Sequence, residues 1–142
     1  MHKMNKTSQI TVETVVNKDA QTVWDFWTKP KHIFQWSHAS DDWHTPYAEN
    51  DLRVGGKFLC RMQARNGSGS FDFIGTYDKI KTEEFIEYTI IDGRKVSVIF
   101  KEIDGKTEIV ETFEPENENS IEMQKQGWQS ILDNFKKYVE NN

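Results

Sequence analysis

The chain has 142 residues, enough for one domain that buries a real core without staples. A net charge of −5, with mixed-sign runs such as Lys79 to Glu84, leaves no basic stripe and excludes a nucleic-acid or anionic-membrane surface. A single cysteine excludes an internal disulfide, no run approaches the roughly 18 apolar residues of a membrane span, and the polar N-terminus lacks the apolar core of a signal peptide. These features predict a soluble, cytoplasmic protein with no nucleic-acid partner and no membrane insertion.

In chain order, residues 1–8 read as a disordered tail. Ile10, Val12, Thr14 and Val16 alternate with Thr11, Glu13 and Val15, which predicts a β-branched first strand. Asn17 or Asp19 is placed to cap a helix running to Thr28, with Val23, Trp24 and Trp27 on its inner side. Pro30 suits the first turn of a second short helix that ends near Trp36. From Ser37 to Asn50 no period is visible, which predicts a loop of functional length.

The middle of the chain reads as a meander. Phe58, Cys60 and Met62 alternate; Asn66-Gly67 turns the chain; Phe71, Phe73 and Tyr77 follow on one face, with a bend or bulge expected at Gly75. Ile86, Tyr88 and Ile90 form the next strand, Asp92-Gly93 the next turn, and Val96, Val98 and Phe100 the strand after it. Asp104-Gly105 then leads to Ile109, Glu111 and Phe113. The last segment, from about Asn119 to Val139, repeats Ile121, Trp128, Ile131, Leu132, Phe135 and Val139 at helical spacing. Asn119 with Glu122 reads as its N-cap, and Lys136 and Lys137 suit its C-terminal dipole. Gly127, which costs a helix about 1 kcal/mol relative to alanine, suggests a close approach there. The predicted order is β–α–α–β–β–β–β–β–α, an α+β domain with helices on one face of an antiparallel sheet.

Asp51-Leu52-Arg53-Val54-Gly55-Gly56-Lys57-Phe58 resembles the Asp-Leu-Arg-x-Gly-Gly-x-Phe signature of the activator of heat-shock ATPase (AHSA-like) family. Val23-Trp24, Thr28-Lys29-Pro30, Gln35-Trp36, Gly75-Thr76-Tyr77-Asp78-Lys79-Ile80 and Gly127-Trp128 with Leu132 resemble further family stretches in the same order. The resemblance covers Ile10 to Val139 as a single domain. It implies the START-like helix-grip fold of the SRPBCC superfamily: a curved antiparallel sheet wrapped around a long C-terminal helix, with a cavity between them. It also implies a hydrophobic ligand, a possible chaperone partner and a link to the stress response. Lys29 stands where the family commonly has Asp, which reads as a solvated helix entry.

Parity turns that cavity into a residue set. With Phe58, Phe73, Tyr88, Val98 and Phe113 inward, the sheet would also present Cys60, Met62, Tyr77, Ile86, Ile90, Phe100, Ile109 and Glu111. The helix would oppose them with Gly127, Trp128, Ile131 and Phe135. Two readings stand side by side: an apolar pocket with a few polar anchors, or the same residues closed on one another as a packed core. Glu111 divides them. Flanked by Ile109 and Phe113, its carboxylate falls on the apolar face, to anchor a ligand hydroxyl or amine or to act as an acid or base. Alternatively a twist or bulge near the strand end carries it to water or an Arg.

Other motifs carry less. His38, Asp41, Asp42 and His44 have ligand types that suit zinc or iron, but no second cluster completes a set, so no metal or cofactor is expected. Cys60 reads as a small buried hydrophobe, and Asn66-Gly67-Ser68-Gly69-Ser70 as a hairpin loop without a helix N-terminus to bind phosphate. The leading expectation is non-enzymatic binding of a small hydrophobic or aromatic molecule, of lipid, polyketide or flavonoid-like type. The alternatives are a co-chaperone-like interaction domain and a cyclase-type enzyme acting on a polyketide-like substrate; no complete catalytic set is visible.

Overall fold

The computed structural model describes residues 9–142, so the expected N-terminal tail lies outside the described residues. Those residues form seven strands and three helices: β1 (Ile10–Val16), α1 (Ala20–Thr28), α2 (Pro30–Trp36), β2 (Trp43–Asn50), β3 (Lys57–Ala64), β4 (Ser70–Lys81), β5 (Phe85–Ile90), β6 (Lys95–Ile103), β7 (Lys106–Phe113) and α3 (Ile121–Glu140). The strands make one antiparallel sheet in the order β1-β7-β6-β5-β4-β3-β2. β2 to β7 are a plain meander, and β1 closes onto β7 with Val12 opposite Glu111. This is the helix-grip architecture, with the helices on the inner face of the curved sheet.

Local chemistry sets the element ends. Asp19 caps α1, its carboxylate accepting from Thr22 N at 3.2 Å. Pro30 opens α2 at a position where a backbone N–H has no intrahelical partner. Asp104 and Gly105, both at positive φ, fill the two-residue turn between β6 and β7. α3 starts one residue later than the sequence suggests: Ser120 is the N-cap and accepts from Met123 N at 3.1 Å. Asn119 instead bonds the Glu116 carboxylate, and Ile121, read as the first residue of the apolar stripe, is 50% exposed.

Two other expectations are corrected. The segment read as a loop from Ser37 to Asn50 contains β2, an edge strand paired with β3. Pro46 and a register shift between His44 and Tyr47 break its alternation, so Thr45 and Ala48, three apart, are its buried residues. In β4 the irregularity falls between Tyr77 and Lys79, not at Gly75. Gly75 has a different reason to be glycine: a Cβ there would lie 2.5 Å from the ring of Phe58.

The core runs from Val16 and Val23 through Val98, Ile109 and Phe113 to Leu132, Phe135 and Val139. α3 packs its backbone mainly against β1 and α2, and rings bridge the remaining space to the sheet. Phe135 takes the edges of Trp27 and Trp36, each 4.8 Å away, and Trp128 stacks on Phe113 at 3.8 Å. No helix among the described residues is long and apolar enough to cross a membrane.

Candidate functional site: an aromatic cavity under the long helix

Between the sheet and α3 lies a cavity of about 310 Å³. Its floor is one face of three neighbouring strands, with Phe58, Cys60 and Met62 from β3, Phe73 and Tyr77 from β4, and Ile86 and Tyr88 from β5. Glu111 of β7 stands at the far side, and Trp128, Ile131 and Leu132 of α3 form the roof. Trp27 of α1 and Ile33 and Trp36 of α2 close one end. Phe71, Arg94, Glu116 and Asn119 also border the space.

Strand alternation explains why these side chains share a face. Cys60 pairs with Phe73, Phe58 with Gly75, and Tyr77 with Tyr88, so successive cross-strand rows on β3, β4 and β5 present their side chains to one face. The absent side chain at Gly75 lets the Phe58 ring lie across β4, where it meets Tyr88 edge-on at 4.8 Å. Phe73 meets both Tyr88 and Trp128 edge-on, which ties floor to roof.

Of the seventeen residues expected to face the cavity, ten border it: Phe58, Cys60, Met62, Phe73, Tyr77, Ile86, Tyr88, Glu111, Trp128 and Ile131. The other seven lie elsewhere. Ile90, Val98, Ile109 and Phe113 are buried in the core, and Phe100 packs against Trp24 and Trp27. Phe135 plugs the end near α1 and α2, and Gly127 does not reach the cavity wall. Parity places a side chain on one side of a sheet but does not say how far along the strand the gap extends. Gly127 also makes no close approach, because a Cβ there would meet nothing within 4 Å.

Several lining residues were not foreseen. Leu132 belongs to the helical stripe and was legible on that ground. Gln124, one turn before Trp128, was legible in the same way. It is buried, and its amide ties α3 to the preceding link, accepting from Glu116 N and donating to the carbonyls of Glu116 and Asn119. Asn50, Arg94 and Glu116 had no signal in the pattern, since the fold brings them in from a bulged edge strand and from loops.

The polar groups of the cavity differ in how they are satisfied. Tyr77 donates its hydroxyl to Asn50 Oδ1 at 2.5 Å, and Asn50 donates onward to the Thr28 carbonyl at 2.7 Å. Burial pushes the Cys60 thiol up to about 11 and raises Tyr77 as well. Tyr88 is also raised well above its ordinary value, by burial first and then by the nearby Glu111 carboxylate. Glu111 itself is 7% exposed and has no hydrogen-bond or ion-pair partner among the described residues. Burial alone moves its carboxyl up to about 8, so at neutral pH it is mainly the neutral acid. The expected bulge toward water does not occur: Glu111 pairs in regular register with both Val12 and Val98.

His38, Asp41, Asp42 and His44 do not converge, and no three His, Cys, Asp or Glu side chains among the described residues are grouped to hold a metal ion. His38 is buried, which lowers its affinity for a proton.

Comparison with known proteins agrees with this architecture. No curated protein matches the chain significantly. Among solved structures, the AHSA1-like protein from Aeromonas hydrophila is 41% identical with a TM-score of 0.88, covering 94% of this chain and 92% of its own. A protein from Cytophaga hutchinsonii is 51% identical with a TM-score of 0.82, covering 95% and 94%. A protein from Chromobacterium violaceum, 19% identical with a TM-score of 0.84 over 94% and 99%, shares the fold. The family model described as Activator of Hsp90 ATPase homolog 1-like protein matches residues 17–140. The chain belongs to that family, within the helix-grip, START-like SRPBCC proteins.

Proposed function

We propose that the protein binds a small, mainly hydrophobic molecule in the cavity under α3, without transforming it. The observation that carries this reading is Glu111, a buried carboxyl with no protein partner, facing a space otherwise walled by rings and aliphatic groups. A core closed for stability alone would hold an apolar side chain there, since drawing a carboxyl out of bulk water without a protein partner costs about 1 to 3 kcal/mol. At about 310 Å³ the space is at the small end of ligand pockets, which favours a compact bicyclic or short-chain molecule over a sterol. A cytoplasmic setting belongs to this reading, supported by the free thiol of Cys60.

A thermal-shift screen with flavonoids, fatty acids, bile acids and sterols tests it on the wild type and on Met62→Trp, which fills the floor. A ligand of the native state raises the melting temperature by mass action, and the shift is expected in the wild type and absent in the variant. No shift with any class, together with stimulation of a heat-shock ATPase by this chain alone, would replace the reading with a co-chaperone-like one. A carboxyl near 8 also suits a general acid. The cyclase-type reading would gain if Glu111→Gln bound a polyketide-like substrate normally and lost turnover.

A further inference from the structure

We propose that the cavity selects a molecule bearing a protonated amine on a compact apolar body, its ammonium seated against Glu111 and the neighbouring aromatic rings. The inference rests on the cavity being a ligand site and names the chemistry of its ligand. Glu111 and Phe113 project to the same face of β7, and Phe113 is stacked under Trp128. Trp128 meets Phe73, and Phe73 meets Tyr88, so a connected set of rings adjoins the carboxyl. Ring faces attract cations, more strongly when water is excluded. A lone carboxylate beside them supplies the opposite charge that a buried ammonium needs.

The walls disfavour the other choices. An anionic ligand would need a free cation, and Arg94 is the one cation among the lining residues. Its Nε already donates to both oxygens of Asp92, at 3.1 and 2.9 Å, and another of its nitrogens donates to the Glu114 carbonyl. A neutral hydroxyl would gain one hydrogen bond from the acid and leave the rings without a charge to bind. The remaining groups around Glu111 do not compensate it. β1 and β6 present Val12 and Val98; β3, β4 and β5 present Cys60, Tyr77 and Tyr88, all neutral at pH 7; α3 presents Gln124 and Trp128. Glu116, also at the wall, is occupied by backbone groups of its own turn.

Because unliganded Glu111 is mainly protonated at pH 7, seating an ammonium ion transfers that proton to the buffer and leaves a carboxylate–ammonium pair. With a carboxyl near 8, up to about one proton is released per ligand at pH 7, and affinity rises with pH, by up to about tenfold per unit, between 6 and 7. The test is calorimetry with a matched set, 4-phenylbutylamine, 4-phenylbutanol and 4-phenylbutyrate, in buffers of different ionisation enthalpy, on the wild type and Glu111→Gln. The amine is expected to bind at least tenfold more tightly than the alcohol, with proton release and a rising pH profile. In Glu111→Gln all three signatures should vanish while the alcohol still binds, which also reports that the variant is folded. Alcohol or acid binding as tightly as the amine, or amine binding without proton release, would overturn the inference and leave the cavity reading standing. Failure of all three compounds to bind while the cavity takes a ligand of the hydrophobic screen would overturn the inference alone; failure of that screen as well would overturn both.

Discussion

At Glu111 burial without a partner makes the folded state hold a proton that the unfolded chain gives up near the ordinary glutamate value of 4.5. Below that pH both states are protonated and there is no penalty. As pH rises from 4.5 to about 8 the folded state must keep or lose a proton at a cost, so stability falls across this window, by roughly 3 kcal/mol at pH 7. Glu111→Gln is therefore expected to flatten the pH dependence of the melting temperature between pH 5 and 8, with its gain over the wild type growing as pH rises. Parallel curves for the two proteins would place the carboxyl in contact with water. Cys60 reports on the same space. With its thiol pushed up to about 11, native labelling by a thiol reagent at pH 7.5 should be far slower than labelling after denaturation. Fast native labelling would mean that water and reagent enter the cavity freely.

Two glycines give opposite expectations at the level of the elements that hold them. In β4, Gly75→Ala sets a Cβ against the Phe58 ring and should lower the melting temperature, by about 1 to 3 kcal/mol of stability. In α3, Gly127→Ala meets open space and improves helix propensity, so it should stabilise by up to about 1 kcal/mol. Thermal melts of both variants check the pair, and equal effects would contradict the packing described here. Element existence was largely legible because most elements obey one period throughout. Phe58-Cys60-Met62, Ile86-Tyr88-Ile90 and Ile109-Glu111-Phe113 alternate cleanly and form strands in that phase. β2 was not legible, because Pro46 and the bulge spoil alternation in a strand paired on one side only. The start of α3 was misplaced by one residue because Asn119 and Ser120 are both good caps, and tertiary contacts decided between them. Glu116 and Gln124 engage Asn119, leaving Ser120 to cap.

For the whole molecule, the sequence pattern identified which faces turn inward, and the resemblance identified the fold. The size and position of the cavity depended on something neither contains. Val98, Phe100, Ile109 and Phe135 point inward as firmly as Tyr88 and Glu111, yet they fill their end of the sheet while the other end stays open. The difference arises where α3 leans on β1 and α2 at one end and is held away from β3–β5 by Trp128 at the other. Such an arrangement is a sum over helix position and ring size, with no local signature. The most direct measurement is an NMR titration of 15N-labelled protein with each class of the hydrophobic screen and with 4-phenylbutylamine. A ligand in the cavity should move the Trp128, Trp27 and Trp36 indole signals and the amides of Met62, Tyr88 and Glu111, while the amides of exposed Val54 and Ile103 stay in place. Shifts confined to the edge strand or the outer face of the sheet, with the three cavity indoles unmoved, would contradict a binding site under the long helix.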